Sequence, residues 1–485
     1  MVALVVFTPL FRAGATPLAE LVSQLLSIVV LVLVLWSPKR LAITWSETLI
    51  LALLLLIPAL YLLPLPSGWV DLLPGRALYA EANPLLPAST ISNWKSLSIY
   101  PGATAAAGLA LLLPIAIFLG TRTLAPRALL TLVKLLLAVA VLQAILGLVQ
   151  FGTAQSGPAL LAVEGASGQS ATGTFANRNH LAGLIEMMLP MALALFFYTL
   201  GRSETPTRQA SGWRRKAAFL NSKSGGAATV YGIVAVLLLI GIIFTRSRTG
   251  IFLGMLGIIL SALMFSRRIG GSNVFGPAGT VVALALSFGI AIGLAPVLDR
   301  FSISTVGDDA RWQVFGLTLQ GAGNLFPLGA GPGNFPWVFP PLQPVELGRV
   351  LVNRAHNDYL EWWFDLGILG AVLVALVLIL YLRQWVKLRT AEQWTRPRFL
   401  QAAAGISLLL LAIHEFVDYN LYTPTNQLVF ALLAGVFFMP VERLHAVDGE
   451  RRRKRTTPDL VPRTQPSAPV QRVPADQIEN PFRNG

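Results

Sequence analysis

Residues 17–36 read PLAELVSQLLSIVVLVLVLW, a stretch of 20 residues in which Glu20 is the only charged side chain. An apolar run of about 20 residues crosses the hydrocarbon core of a bilayer, about 30 Å thick, as one helix. We find eleven such runs, near residues 17–36, 42–63, 102–121, 128–150, 181–200, 229–245, 249–266, 279–298, 362–382, 400–417 and 427–441. The sequence therefore predicts an all-α polytopic membrane protein with about 11–12 transmembrane helices.

The overall composition agrees with this fold class. Hydrophobic residues make up 54% of the 485 residues and charged residues only 12%, which is about half the charged share of a soluble domain. This composition excludes a disordered chain and an ordinary cytosolic enzyme. Cysteine is absent, which also excludes disulfides, iron–sulfur clusters, zinc–thiolate sites and a cysteine nucleophile.

The lysines and arginines predict the orientation of the spans. With Lys39 and Arg40 placed in the cytoplasm, 26 basic residues fall on the cytoplasmic side and ten on the other. Because basic residues collect in cytoplasmic loops, we predict a cytoplasmic C-terminus and an extracytoplasmic position for the long loop at residues 299–361. Met1–Leu10 is too short to cross the bilayer alone, and we expect a half-buried or re-entrant segment there.

The end of the chain differs in composition from the rest. Residues 444–485 are rich in proline, include the basic run RRRKR at 451–455 and show no apolar periodicity. We predict a transmembrane domain at residues 1–443, followed by a disordered cytoplasmic tail that contacts anionic membrane lipid. Nucleic-acid binding is an alternative for a basic run, but most of the basic excess follows the topology, and we predict no nucleic-acid partner.

Five arginines lie on the extracytoplasmic side near the predicted membrane surface: Arg178, Arg246, Arg248, Arg311 and Arg354. Guanidinium groups at a bilayer edge need a partner, and their planar forks suit phosphate or diphosphate oxygens. The alternative is that these side chains reach lipid phosphates at the interface. Because no Asp-x-Asp motif is present, we predict that arginines neutralise a diphosphate and that no metal is essential.

Arg246 and Arg248 stand two positions apart between two predicted spans, with almost no loop. Residues i and i+2 face different directions on a helix. Either the helix ends there, or only one of the two arginines enters a site. We favour a broken turn, with Arg248 more structural than Arg246.

A histidine lies where the long extracytoplasmic loop enters a span. Residues 353–370 read NRAHNDYLEWWFDLGILG, with His356 at the fourth position. A histidine with a pKa near 6.5 takes a proton from a hydroxyl group at neutral pH. The segment is equally consistent with a helix start that His356 caps, and the spacing leaves both hypotheses open. Asp358, Glu361 and Asp365 are predicted to share one helix face.

Glycines mark two places where the backbone must pack closely. Gly367 and Gly370 lack side-chain bulk and are expected to allow close contact between helices. The glycine-rich stretch at residues 329–333 lacks the Gly-Lys-Ser/Thr ending of a phosphate loop. We therefore predict a tight loop at 329–333.

One spacing matches a known family. His356-Asn357 is followed by nine residues, Gly367, two residues and Gly370. In this the chain resembles the O-antigen ligase and O-antigen polymerase superfamily of bacterial inner-membrane proteins, whose ligases carry the same spacing in a large periplasmic loop. Weaker similarities follow in the expected order at residues 173–179, 247–250, 329–335 and 418–421.

The resemblance implies an enzyme that takes a glycan from undecaprenyl diphosphate at the periplasmic face of the inner membrane. A polymerase would pass the glycan to a second lipid-linked repeat unit, a ligase to lipid A-core, and a related branch to protein hydroxyls. The segment around His356 slightly favours a polymerase. The twelve spans usual in the family, with both ends inside, are reached here only if Met1–Leu10 forms a short span.

The resemblance also implies roles for individual residues. His356 would orient or deprotonate the acceptor hydroxyl. Arginines would hold the diphosphate, namely Arg178, Arg246 (or Arg248) and Arg311. Four further residues would support the site: Arg354, Asn357, Asn179 and Glu361. The expected reaction is one direct displacement with inversion at the anomeric carbon, and no cofactor is implied.

Two other classes of function stay open. A transporter or flippase of lipid-linked oligosaccharide would carry ionisable residues in the middle of its spans, where Lys134, Glu186 and Glu47 occur. A non-catalytic scaffold of a polysaccharide assembly complex would tolerate loss of the arginines.

Overall fold

The computed structural model describes residues 1–38, 41, 43–76, 93–153, 170–201, 222–266, 306–345, 351–390 and 394–440. These residues belong to one unit, Met1–Pro440. The span predicted near 279–298 and the tail predicted at 444–485 lie outside the described residues. The loop predicted at 299–361 is described from residue 306, apart from 346–350.

Helices dominate the described residues. In chain order they are α1 (Val2–Phe7), α2 (Pro17–Trp36), α3 (Trp45–Leu62), α4 (Ser67–Val70), α5 (Pro101–Ala110), α6 (Leu112–Thr123), α7 (Pro126–Gly152), α8 (Arg178–Leu200), α9 (Lys223–Thr245), α10 (Arg248–Ser266), α11 (Val306–Asn324), α12 (Phe335–Val338), α13 (Asp358–Leu366), α14 (Ile368–Arg389), α15 (Arg396–His414) and α16 (Pro424–Phe437).

Nine spans in the described part of the chain are long and apolar enough to cross a membrane, with α5 and α6 together forming one of them. They confirm nine of the eleven predicted runs and the all-α polytopic membrane fold. The run predicted near 427–441 is the shorter apolar helix α16. The run predicted near 362–382 is wrong at its start, because Gly367 separates α13 from the span α14.

Helix α8 lies at the centre of the bundle. Its apolar window is 100% buried, whereas only 11% of the α14 window is buried. Helices α7, α9, α10 and α15 pack around it. Close packing depends on small residues: a Cβ added to Gly250 of α10 would lie 2.5 Å from the Cβ of Ala182 in α8.

The N-terminal segment enters the same bundle. The helix α1 has six residues, with Leu4 and Val5 buried, and is too short to cross a membrane, as predicted. The carbonyl of Pro9 accepts hydrogen bonds from Gln143 at 3.1 Å and from Thr174 at 2.5 Å. These contacts hold the segment between α7 and the loop that leads into α8.

The long loop contains a small folded region with its own core. Helices α11, α12 and α13 bury an apolar cluster around Phe335, Phe339 and Phe364. The stretch at residues 327–334 contains turns and bends and no helix. The loop is therefore a packed platform that carries one long helix, α11, and ends at α13.

A short hairpin attaches this platform to the bundle. Strands β1 (Pro64–Pro66) and β2 (Trp94–Ser96) pair antiparallel, with Leu65 opposite Lys95. Buried Arg76 donates to the carbonyl of Leu97 at 2.8 Å and to that of Gly329 at 2.9 Å. The guanidinium of Arg76 thus links the hairpin to the glycine-rich stretch.

The glycines of this region allow close backbone contact. Gly329, Gly331 and Gly333 all have positive φ, which confirms the predicted tight loop. Gly367 has a φ of 52°, and a Cβ there would strike the carbonyl of Pro327. The expected contact between helices is wrong for Gly367, because the close neighbour is the backbone of a loop.

Candidate active site

His356 lies at the end of the loop that leads into α13, in an uncommon backbone conformation. Its φ is 54°, a left-handed value that non-glycine residues adopt mainly at constrained or functional positions. The side chain of Asn357 caps α13 and accepts from the N–H of Leu360 at 3.1 Å. The alternative in which His356 caps the helix is therefore wrong. The imidazole of His356 is 28% exposed.

Asp418 joins His356 to the first turn of α8. The Oδ1 atom of Asp418 lies 4.0 Å from Nδ1 of His356 and 3.7 Å from Nε2 of His180. Its Oδ2 atom accepts a hydrogen bond from the side chain of Asn179. The ring of Tyr419 meets both imidazoles edge-on, with centroids 4.7 Å from His180 and 4.8 Å from His356.

The electrostatic surroundings keep His356 neutral. Burial lowers its pKa to about 4; the charge of Asp418 opposes this shift, and the charges of Arg311 and His180 reinforce it. Burial alone would raise the pKa of Asp418, but the imidazole of His180, 3.7 Å away, outweighs it and holds that pKa below its ordinary value. At neutral pH the site therefore pairs an ionised carboxylate with a neutral imidazole, and a neutral imidazole accepts a proton.

Arg354 and Glu361 brace the loop that carries His356. The guanidinium of Arg354 donates to Oε1 of Glu361 at 2.8 Å and stacks on the ring of Tyr422, 3.7 Å from its centroid. The Oε2 atom of Glu361 accepts the N–H of Ala355 at 2.8 Å. Together they hold the backbone next to His356, and their supporting role stays a prediction.

The three acids of α13 share a buried face, as predicted. The N–H of Gly333 donates to Asp365 at 2.8 Å. Burial and the neighbouring Glu415 raise the pKa of Asp358 well above its ordinary value, and burial raises the pKa of Glu415 to about 8. The backbone N–H of Asp358 donates to the carbonyl of Glu415 at 3.0 Å, and the two carboxyls act on each other electrostatically as a pair.

The predicted break at Arg246 and Arg248 is confirmed. Helix α9 ends at Thr245, Arg246 is left-handed with a φ of 54°, and α10 begins at Arg248. The guanidinium of Arg246 lies over the ring of Phe151, 5.2 Å from its centroid. The N–H of Ala171 donates to the carbonyl of Phe244 at 2.8 Å, and Gly250 packs on Ala182, so this turn lies at the same end of the bundle as the first turn of α8.

The arginines that the sequence predicts to bind a diphosphate are distributed around this end of the bundle. Arg178 is the first residue of α8, and Arg246 and Arg248 flank the break between α9 and α10. Arg311 belongs to α11 and acts electrostatically on His356. The structure thus brings Arg311 into the surroundings of His356, and it gives Arg246 an aromatic partner.

Residues 233–375 match the family model described as O-antigen ligase. The match supports the O-antigen ligase/polymerase superfamily. It covers less than a third of the chain and includes Arg246, Arg248, Arg311 and His356. No curated protein matches the chain. A match of this kind supports glycan transfer of the O-antigen ligase or polymerase type in general, from a lipid-linked glycan to a glycan acceptor, by a multi-pass membrane protein.

Two residues of the candidate site, His180 and Asp418, had no role in the sequence interpretation. His180 and Asp418 lie 238 positions apart in the chain, and no local spacing connects them. The only signal was their position beside the stretches that resemble the family: His180 directly follows residues 173–179, and Asp418 begins residues 418–421.

The ionisable residues inside the spans are mostly paired. Glu186 accepts a hydrogen bond from Nδ1 of His414 at 2.9 Å, and both side chains are fully buried. Glu47 belongs to the capping box of α3 and pairs with Arg122 at 3.0 Å. Partners of this kind explain Glu186 and Glu47 without an ion pathway.

Proposed function

We propose that the protein transfers or polymerises a glycan from undecaprenyl diphosphate at the periplasmic face of the bacterial inner membrane. The acceptor is a second lipid-linked repeat unit for a polymerase, which we favour slightly, or lipid A-core for a ligase. The observation that carries this proposal is the neutral His356 imidazole, which faces the Asp418 carboxylate beside Arg311.

His356 acts as the general base in this proposal. Its Nδ1 atom faces Asp418 at 4.0 Å, so its Nε2 atom is left to take the proton of the acceptor hydroxyl. The carboxylate then stabilises the imidazolium that forms, which is the role of an acid behind a histidine base. Contacts of this kind are often long in substrate-free sites and shorten when substrate binds.

Arginines hold the leaving group in this proposal. The acceptor oxygen attacks the anomeric carbon, the bond from that carbon to the diphosphate oxygen breaks, and undecaprenyl diphosphate leaves with the electron pair. Arg178, Arg311 and Arg246 (or Arg248) neutralise the charge that develops on the diphosphate. The proton passes to His356 and then to water, and the anomeric carbon is inverted by this single displacement.

The test is reconstitution of the full-length protein with undecaprenyl diphosphate-linked repeat units alone. We expect a ladder of longer lipid-linked products that disappears in His356→Ala, with membrane insertion intact. If repeat units alone give no ladder, addition of lipid A-core or a protein acceptor tests the ligase and protein-transfer alternatives. Near-normal transfer by both His356→Ala and Arg246→Ala would contradict the proposed site.

A flippase is the second candidate function. It would move lipid-linked oligosaccharide between the leaflets of a vesicle and form no new glycosidic bond. The pairing of Glu186 with His414 removes the main sequence feature in its favour. Flux without any product ladder would overturn the proposed transfer reaction.

The proposed orientation has its own test, and the absence of cysteine makes it simple. Trp337 is 59% exposed on the platform, and Thr390 follows the opposite end of α14. We expect a membrane-impermeant maleimide to label Trp337→Cys in intact spheroplasts and Thr390→Cys only after permeabilisation. The reverse pattern would contradict a periplasmic site and a cytoplasmic C-terminus.

A further inference from the structure

One carboxylate oxygen faces two histidines. The Oδ1 atom of Asp418 lies 4.0 Å from Nδ1 of His356 and 3.7 Å from Nε2 of His180. Within the described part of the chain, neither nitrogen has a hydrogen-bond partner, although both are buried from solvent. The reaction proposed above uses Asp418 with His356 and gives the second imidazole no role.

The tautomer of His180 follows from its other ring nitrogen. The Nδ1 atom lies 2.8 Å from Oγ1 of Thr423. If the hydroxyl of Thr423 donates to Nδ1, the proton of a neutral imidazole sits on Nε2 and points at Asp418. The opposite assignment would aim the lone pair of Nε2 at a carboxylate oxygen, which is repulsive. The N–H of His180 is therefore directed at Asp418.

Two further donors hold the carboxylate in place. The backbone N–H of Tyr419 donates to Oδ1 of Asp418 at 3.0 Å, and the side chain of Asn179 donates to Oδ2. The Tyr419 ring, in edge contact with both imidazoles, fixes the distance between His180 and His356. Besides the Tyr419 N–H, the imidazoles of His180 and His356 are the two side-chain groups placed beside Oδ1.

We propose that His180 is a positioning residue for the transfer reaction, which directs its Nε2–H at Asp418 and keeps that carboxylate ionised and aimed at His356. The inference rests on the proposed function, because the reaction it serves is the one assigned to His356. A neutral donor is sufficient for this role, since it favours the ionised form of a buried acid without adding charge.

Charged and titratable groups surround Asp418 on several elements. They are His180 and Glu186 on α8, His356 before α13, His414 and Glu415 at the end of α15, and the adjacent Tyr419. Arg311 on α11 acts on His356 and His414. All of these except His180 are present in a His180 variant. Loss of the donor then lets burial raise the Asp418 pKa, and the acid limb of the pH–rate profile moves upward once that pKa exceeds the value of about 4 of the His356 base.

The decisive comparison is His180→Leu against His180→Gln in the full-length protein, reconstituted with undecaprenyl diphosphate-linked repeat units. The Gln amide keeps an N–H donor near the position of Nε2, whereas Leu does not. We expect His180→Leu to lose about tenfold or more in kcat, with KM for the donor within about twofold and the acid limb shifted upward by about one pH unit. We expect His180→Gln to keep the wild-type acid limb.

A matched pair of variants tests the same contact without changing the imidazole. Thr423→Val removes the hydroxyl that sets the tautomer, and Thr425→Val removes a hydroxyl that donates to the carbonyl of Ala13 at 2.9 Å. We expect a smaller upward shift of the acid limb for Thr423→Val and none for Thr425→Val. This pair keeps the test valid if His180→Leu does not fold.

Three outcomes overturn the proposal: a wild-type acid limb in His180→Leu, equal impairment in His180→Gln and His180→Leu, or equal profiles for the two threonine variants. Transfer by the wild type in the same preparation separates these outcomes from a failure of the proposed function. If the wild type transfers nothing to any acceptor, the proposed function fails, and this inference fails with it.

Discussion

Helices α8 and α14 have similar apolar composition and opposite surroundings. The apolar window of α8 is fully buried, whereas that of α14 is 11% buried. Helix α8 carries His180 at its start and Glu186 near its middle, whereas α14 presents side chains such as Val372 and Leu378 to the outside, 49% and 53% exposed. Apolarity thus identifies a helix that crosses the membrane, and internal polar residues identify the one that others enclose.

The largest effect expected within this comparison comes from breaking the buried contact between Glu186 of α8 and His414 of α15. His414→Leu leaves the fully buried Glu186 without its partner, and the loss of one member of a buried pair costs about 3–5 kcal/mol. We expect a large fall in the thermal stability of the detergent-solubilised protein, measured by fluorescence-detected size exclusion after heating.

Two controls sharpen this first prediction. The double variant His414→Leu/Glu186→Leu removes both partners and should recover much of the stability. Lys95→Ala breaks an ion pair of 2.8 Å whose side chains are 27% and 34% exposed, and an exposed pair contributes about 1 kcal/mol at most. Equal losses of thermal stability in His414→Leu and Lys95→Ala would show that the enclosure of α8 has no energetic consequence.

A second prediction compares the same substitution on the two helices. Leu184 in α8 is fully buried, and Leu378 in α14 is 53% exposed. Leu184→Ala should cost about 2–4 kcal/mol, because it leaves a cavity among packed side chains. Leu378→Ala should cost little, because lipid fills the space. A similar loss of thermal stability in both variants would contradict the central position of α8.

The smallest effect concerns pH at the polar end of α8, where the Asp358–Glu415 pair packs. Both pKa values are raised in the folded protein, so the folded state binds protons more tightly than the unfolded state. The pair makes its full contribution to the free energy of unfolding below the ordinary carboxyl pKa, about 4.5 for Glu415. This contribution is lost as the pH rises toward about 8. Asp358→Asn should lessen the fall of Tm between pH 5 and pH 8.5.

The control for this prediction is Asp71→Asn, which changes a partly exposed carboxylate of the hairpin region. We expect its Tm to follow the wild-type pH dependence. An unchanged slope in Asp358→Asn would show that the pair does not govern the alkaline loss of stability.

The sequence predicted the spans well and their arrangement poorly. Hydropathy identified α8 and α14 equally well as spans, because it depends only on the composition of each segment. It contains no information about which other helices pack against a span. The break at Arg246 was predictable because residues i and i+2 cannot share a helix face. The break at Gly367 was missed, because a single glycine within an apolar run leaves the hydropathy almost unchanged.

In the candidate site, too, local features could be predicted from the sequence and contacts between distant segments could not. His356 and the buried face of Asp358, Glu361 and Asp365 follow from spacing within one segment. The contact of Asp418 with His180 depends on the packing of two segments 238 residues apart, and a single sequence holds no record of that packing.

The pairing of Glu186 with His414 has a consequence for the order in which the chain is made. The two residues are 228 positions apart, so α8 is synthesised well before the segment that supplies its partner. At about 5–20 residues per second, that interval is on the order of ten seconds or longer. During this time α8 carries a core acid without its partner, and the synthesis of α15 supplies the imidazole that pairs with it.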